Sequence, residues 1–147
     1  MKYPTKASIE GLKQKISFPA LDVHSQDWEY EVADASRLNE FLNFYFKPDF
    51  LSTVERFTLM IVILESFNDA LTNQHQNEND WANIQSALLK ESDLHTETIE
   101  KFASRNEEDL EMCFAITSRI RILFPEEKSK TGGQGSREIP DDKRITD

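Results

Sequence analysis

From Thr53 to about Asn73 apolar side chains fall on nearly every side of a helical wheel: Val54, Phe57, Leu59, Met60, Ile61, Val62, Ile63, Leu64 and Phe67. A helix apolar all round is surrounded by protein, so this segment predicts the central rod of a core. Its β-branched content would suit a strand. Its length, and the capping box Ser52-Thr53-Val54-Glu55 that opens it, favour a helix.

The flanking segments are amphipathic. Residues 35–46, capped by Asp34 or Ser36 and stopped by Pro48, carry Leu38, Phe41, Leu42 and Tyr45 on one face. Phe44 and Phe46 fall elsewhere, so contact on two sides is expected. After the polar loop 74–80, Asp80 caps a helix marked by Trp81, Ile84, Ala87 and Leu88. A further helix from about Asp93 to Ser104 has Leu94, Thr98, Ile99 and Phe102 on one stripe. The last runs from Glu107 to Phe124, between Asn106 as cap and Pro125 as stop. It starts with acids and ends with Arg119 and Arg121, as the helix dipole favours. A short helix over 5–16 offers Ile9, Leu12 and Ile16, weakened by Gly11. Trp28-Glu29-Tyr30-Glu31-Val32 alternates with period two. With no second strand to pair with, it reads as an extended segment with Trp28, Tyr30 and Val32 turned inward.

The expected fold is all-α: one bundle of five or six helices around the helix at about 53–72. An N-terminal arm (1–27) precedes the helical domain (28–124), and a tail (125–147) follows. The tail contains Lys-Thr-Gly-Gly-Gln-Gly-Ser and almost no large apolar residue, so it is expected to be disordered. The buried centre should draw on Phe57, Met60, Ile61, Leu64, Ile84, Leu88, Phe102, Phe114 and Ile120.

Composition narrows the chemistry. The 147 residues fit one domain. There is no glycine between Gly11 and Gly132, which disfavours phosphate-cradling loops, dinucleotide turns and nucleophile elbows, all of which need φ > 0 or close backbone approach. The net charge of −10 comes from residues 25–124, where eight basic side chains face nineteen acidic ones, giving −11. Such a body repels nucleic acid and anionic membrane and steers toward basic partners. A single cysteine, Cys113, allows no internal disulfide and no cysteine-based zinc site; in an apolar helix it would be buried and inert. The start has no secretory h-region and the longest apolar run, Leu59–Leu64, is too short to span a bilayer. The expected place is the cytoplasm.

Few constellations suggest chemistry. Glu65 and Asp69, four apart, repel one another, a cost that Arg119 or Arg121, a basic partner or a metal would relieve. Glu91 and His95 are also four apart. The chain has no Glu-x-x-His pair of the di-iron bundle type, so His95 is expected to cap or flank its helix. Serine-triad catalysis has no local signature here. Phe41, Phe44, Tyr45, Phe46 and Phe50 are too many for one face of a short helix. An exposed subset near Glu40 would make an acidic and aromatic anchor.

The stretches Phe57-Thr-Leu-Met-Ile-Val-Ile-Leu-Glu-Ser-Phe-Asn-Asp69 and Phe114-Ala-Ile-Thr-Ser-Arg-Ile-Arg121 resemble small, acidic, all-helical bacterial proteins of uncharacterised function. Some of those are similar to immunity partners of delivered toxins. The resemblance spans about residues 28–124, carries no catalytic residue, and implies a protein that binds and blocks another.

The first functional expectation is a non-enzymatic interaction module of immunity type, without cofactor or metal. It would dock a basic protein through Glu40, Phe44, Phe46, Phe50, Glu65 and Asp69. The alternatives are a small helical metal-binding protein or enzyme using carboxylates and His95, and a homo-oligomeric subunit that buries surplus aromatics between copies.

Overall fold

The computed structural model describes residues 4–18 and 28–126. These form seven α-helices: α1 (Lys6–Lys15), α2 (Trp28–Val32), α3 (Leu38–Phe46), α4 (Thr53–Thr72), α5 (Glu78–Lys90), α6 (Thr96–Ala103) and α7 (Thr117–Leu123). Two 3-10 turns, Ala35–Arg37 and Leu110–Met112, precede α3 and α7, and no strand occurs among the described residues. The architecture is all-α. The expected disordered tail from residue 127 on, and residues 1–3 and 19–27 of the arm, lie outside the described residues.

Helix α4 is the axis, as its all-round apolar pattern requires. Phe57, Leu59, Met60, Val62, Ile63, Leu64 and Phe67 are all at most 1% exposed, and α1, α2, α3 and α5 pack around it. Ser52 Oγ accepts from Glu55 N–H at 3.2 Å while Glu55 Oε1 accepts from Ser52 N–H at 3.0 Å, so the capping box forms as the sequence predicts. Eight of the nine residues expected at the centre are buried; Phe114 is half-buried, its ring tilted against that of Phe102 at 4.9 Å between centroids.

Gly11 turns from a weak point into a requirement. A Cβ at this position would overlap the Glu55 carboxylate. That carboxylate also accepts from Lys15 Nζ at 2.7 Å, and Ser8 Oγ accepts from Thr58 Oγ1 at 2.8 Å. The seam between α1 and α4 is therefore close and polar, and a side chain at position 11 would require the Glu55 carboxylate to shift.

Three expectations are corrected. Residues 28–32 form a helix, not an extended segment. Trp28 and Val32, four apart, still both point inward at 5% and 3% exposure, because a helical turn brings i and i+4 to one face. The helix expected over Glu107–Phe124 is broken: Leu110–Met112 is a 3-10 turn, and α7 begins only at Thr117. Asp109 ends the preceding stretch by accepting from Glu111 N–H at 3.0 Å, a local bond that competes with helix propagation. The lack of glycine also does not exclude left-handed backbone, since Asp49, Gln74 and Ser104 adopt φ of 57°, 59° and 45°. Gln74 sits at the left-handed position of a helix-ending motif: His75 N–H donates to Ala70 O at 2.8 Å and Gln74 N–H to Leu71 O at 3.1 Å.

Candidate functional site

One polar cluster reaches into the interior around His95. Helix α3 supplies Tyr45, α4 supplies Arg56, and the turn after α5 supplies Glu91 and His95. Tyr45 Oη bonds Glu91 Oε1 and lies 2.9 Å from His95 Nε2; Arg56 Nε donates to Glu91 Oε2 at 3.1 Å. The tyrosine has one proton, and a carboxylate gripped by an arginine only accepts. The hydroxyl therefore donates to Glu91, and His95 must donate from Nε2 to the tyrosine oxygen. His95 is fully buried, lies 6.4 Å from the Phe57 ring, and its Nδ1 has no partner among the described residues. Burial drives its pKa down to about 4, against a smaller upward pull from Glu91. Burial, and then the bond to Glu91, drive the Tyr45 hydroxyl well above its ordinary value. Both are neutral near pH 7. His95 thus precedes α6 at the cap position expected of it, but its side chain braces the core rather than capping the helix.

Glu91 and His95 are consequently occupied. Among the described residues no group of three His, Cys, Asp or Glu side chains could hold a metal ion.

The six residues expected to form a docking face are not brought together. Glu65 is 1% exposed, with its carboxylate 3.9 Å from Lys101 Nζ on α6. Neither arginine expected to relieve it does so. Arg119 grips Glu78 at 2.7 and 2.8 Å and lies over the stacked rings of Phe67 and Trp81; Arg121 bonds backbone carbonyls. Glu65 is an interior group, so it offers no surface to a partner. Asp69, one turn on, is exposed, and partial burial raises its pKa. Glu40 is exposed but clamped by Arg37 at 2.9 and 2.7 Å, the bond that lowers its pKa.

Phe44 and Phe50 are half-buried and stacked at 5.4 Å, and Phe46 is 46% exposed. The charges over these rings are positive. Lys47 and Lys15 lie 4.6 and 5.6 Å from the Phe50 ring, and Arg37 lies 5.0 Å from Phe41. The aromatic rings are therefore contacted by cations, although Glu40 and Asp49 are also exposed in the same stretch.

The stretch between α6 and α7, expected to be helix, carries the opposite arrangement. Glu107, Glu108, Asp109 and Glu111 are all exposed, and between them stand Leu110 and Met112 at 53% and 72% exposure. Cys113 is half-buried, not sunk in an apolar helix as expected. One arginine holds this stretch from within. Arg121 donates to Ala103 O at 2.7 Å, Ser104 O at 2.5 Å and Glu107 O at 2.7 Å, the first two being carbonyls at the end of α6, of which Ser104 O also accepts from Glu107 N–H. Arg105 reciprocates at the end of α7 through Phe124 O at 2.7 Å. The sequence did contain a hint: Leu110, Met112, Phe114 and Ile116 alternate with period two, which no helix can place on one face.

No described helix is long and apolar enough to cross a membrane. Comparison of the chain with protein-family models, with characterised proteins and with solved structures finds no match, so only the geometry bears on what it does.

Proposed function

We propose that the chain is a non-enzymatic interaction module that binds a basic protein partner, in the manner of an immunity protein that masks a toxin. What supports the reading is the way charge is distributed between inside and outside. Of the eight basic side chains in residues 25–124, seven are engaged within the molecule: Arg37, Arg56, Lys101, Arg105 and Arg119 on carboxylates, Lys47 on the Phe50 ring and Arg121 on backbone carbonyls. Eight exposed carboxylates have no ion pair with a described cation: Asp49, Asp69, Asp93, Glu97, Glu107, Glu108, Asp109 and Glu111. The surface charge left without an ion-pair partner is thus almost entirely negative. A field of one sign accelerates encounter with an oppositely charged protein.

The test is affinity capture with the tagged full chain at low salt from the organism that encodes it, followed by reconstitution from purified components. The reading predicts a stoichiometric complex with a basic protein, weakening as salt rises, and loss of that protein's toxicity on co-expression. Salt-insensitive binding, or no partner, counts against it.

A further inference from the structure

Five large apolar side chains stand exposed among the described residues: Phe46, Leu89, Leu110, Met112 and Ile122. Phe46 and Leu89 are each followed by a lysine, Lys47 and Lys90. Leu110 and Met112 differ in two respects. They share one 3-10 turn, and every charged side chain on that turn and its flanks, from Glu107 to Glu111, is an exposed carboxylate.

The turn is also fixed in place. Met112 N–H donates to Asp109 O at 2.9 Å and Cys113 N–H to Leu110 O at 3.1 Å. Arg121 ties the preceding backbone to α7 through Ser104 O and Glu107 O. Leu110 and Met112 are thus presented on an ordered backbone, and a partner need not order that backbone on binding.

We propose that residues 107–113 are the docking surface for a basic protein. An apolar pocket on that protein takes Leu110 and Met112, while its lysines or arginines meet the surrounding carboxylates. The inference rests on the interaction reading above and names the surface through which it works. Charge complementarity selects the occupant. A second copy of this acidic chain, or an anionic membrane, would bring like charge to like charge. A wholly apolar partner would strip water from four carboxylates without pairing them. The chain's own residues 127–147 carry five basic and five acidic side chains, so they have no net attraction for the turn.

The probe is a synthetic amphipathic Leu/Lys helix carrying a fluorophore, titrated with the full chain across a range of salt. Variants Leu110→Ser with Met112→Ser, and Glu108→Gln with Glu111→Gln, are run beside it. The surface predicts salt-sensitive binding that falls about tenfold or more in the Leu110/Met112 variant, as expected on removal of buried anchors. In the Glu108/Glu111 variant it predicts a flatter salt dependence. The Met112 methyl resonance of the unaltered chain should move on binding, and this decides the matter even if a variant fails to fold. Salt-sensitive binding retained in the Leu110/Met112 variant, with the Met112 methyl unmoved, overturns this surface and leaves the interaction reading standing. Absence of any binding overturns both. A Met112 methyl that moves when the chain is truncated after Glu126, with no peptide present, makes the tail the occupant and also overturns the proposal.

Discussion

Two regions of this molecule that hold hydrophobic side chains near water treat charge in opposite ways. Around α3, cations fold down onto the rings: Lys15 and Lys47 over Phe50, Arg37 over Phe41, with Arg37 also closing on Glu40. Between α6 and α7, Arg121 of α7 turns inward to backbone carbonyls, leaving Leu110 and Met112 among carboxylates. The first arrangement satisfies itself, whereas the second leaves both hydrophobic area and charge for something outside. Local composition separates them, since the turn from Glu107 to Glu111 carries only carboxylates, and so does the direction in which each cation points.

The self-satisfied side should respond most strongly when its interior is titrated. His95 is neutral in the fold, with a pKa of about 4 against an ordinary 6.5. Between those values the unfolded chain takes up a proton that the folded chain refuses. Its contribution is therefore complete above about pH 6.5 and is lost as pH falls toward 4. At about 1.4 kcal/mol per unit the ceiling on this loss is about 3 kcal/mol. Denaturant midpoints at neutral and acid pH should show it as a difference between the unaltered chain and His95→Gln. If the two curves run parallel, the histidine is not held neutral by the core.

The support of the acidic turn comes next. Arg121→Ala leaves Ala103 O without its side-chain donor and should cost about 2 kcal/mol, with faster amide exchange across 104–113. Unchanged exchange there would mean that the turn orders itself without the arginine. Gly11→Ala should cost about 1 to 2 kcal/mol, because the new methyl meets the Glu55 carboxylate rather than open space. A neutral or stabilising result would show that α1 can retreat from α4 freely. The smallest effect sharpens the contrast. Leu110→Ser with Met112→Ser should move stability by no more than about 0.5 kcal/mol, since neither side chain is part of the core. A large loss would make these residues structural and remove the reason to regard them as presented to a partner.

The parts of the fold legible in the sequence were those with redundant cues. Helix α4 had length, an apolar surface and a capping box, α3 had a stripe and the stop Pro48, and α5 and α1 each had a stripe. The 107–116 break was missed because its acidic start and Pro125 mark helix ends whether or not the interior is helical. The Asp109 side-chain bond that interrupts it is a tertiary-scale choice between two local options. The spacing of Glu91 and His95 was visible, but their partner Tyr45 lies forty-six and fifty residues away in sequence, beyond the reach of any periodicity. Glu65 was assigned to the surface because a helix pattern cannot say which carboxylate a neighbouring helix will cover. Lys101 on α6 covers it.

Hydrogen exchange of the full chain, free and bound to its basic partner or to the Leu/Lys helix, tests the central contrast most directly. The account predicts new protection across 107–113, with the Phe44–Phe50 region unchanged. Protection confined to Phe44–Phe50, with 107–113 exchanging as in the free chain, would contradict it.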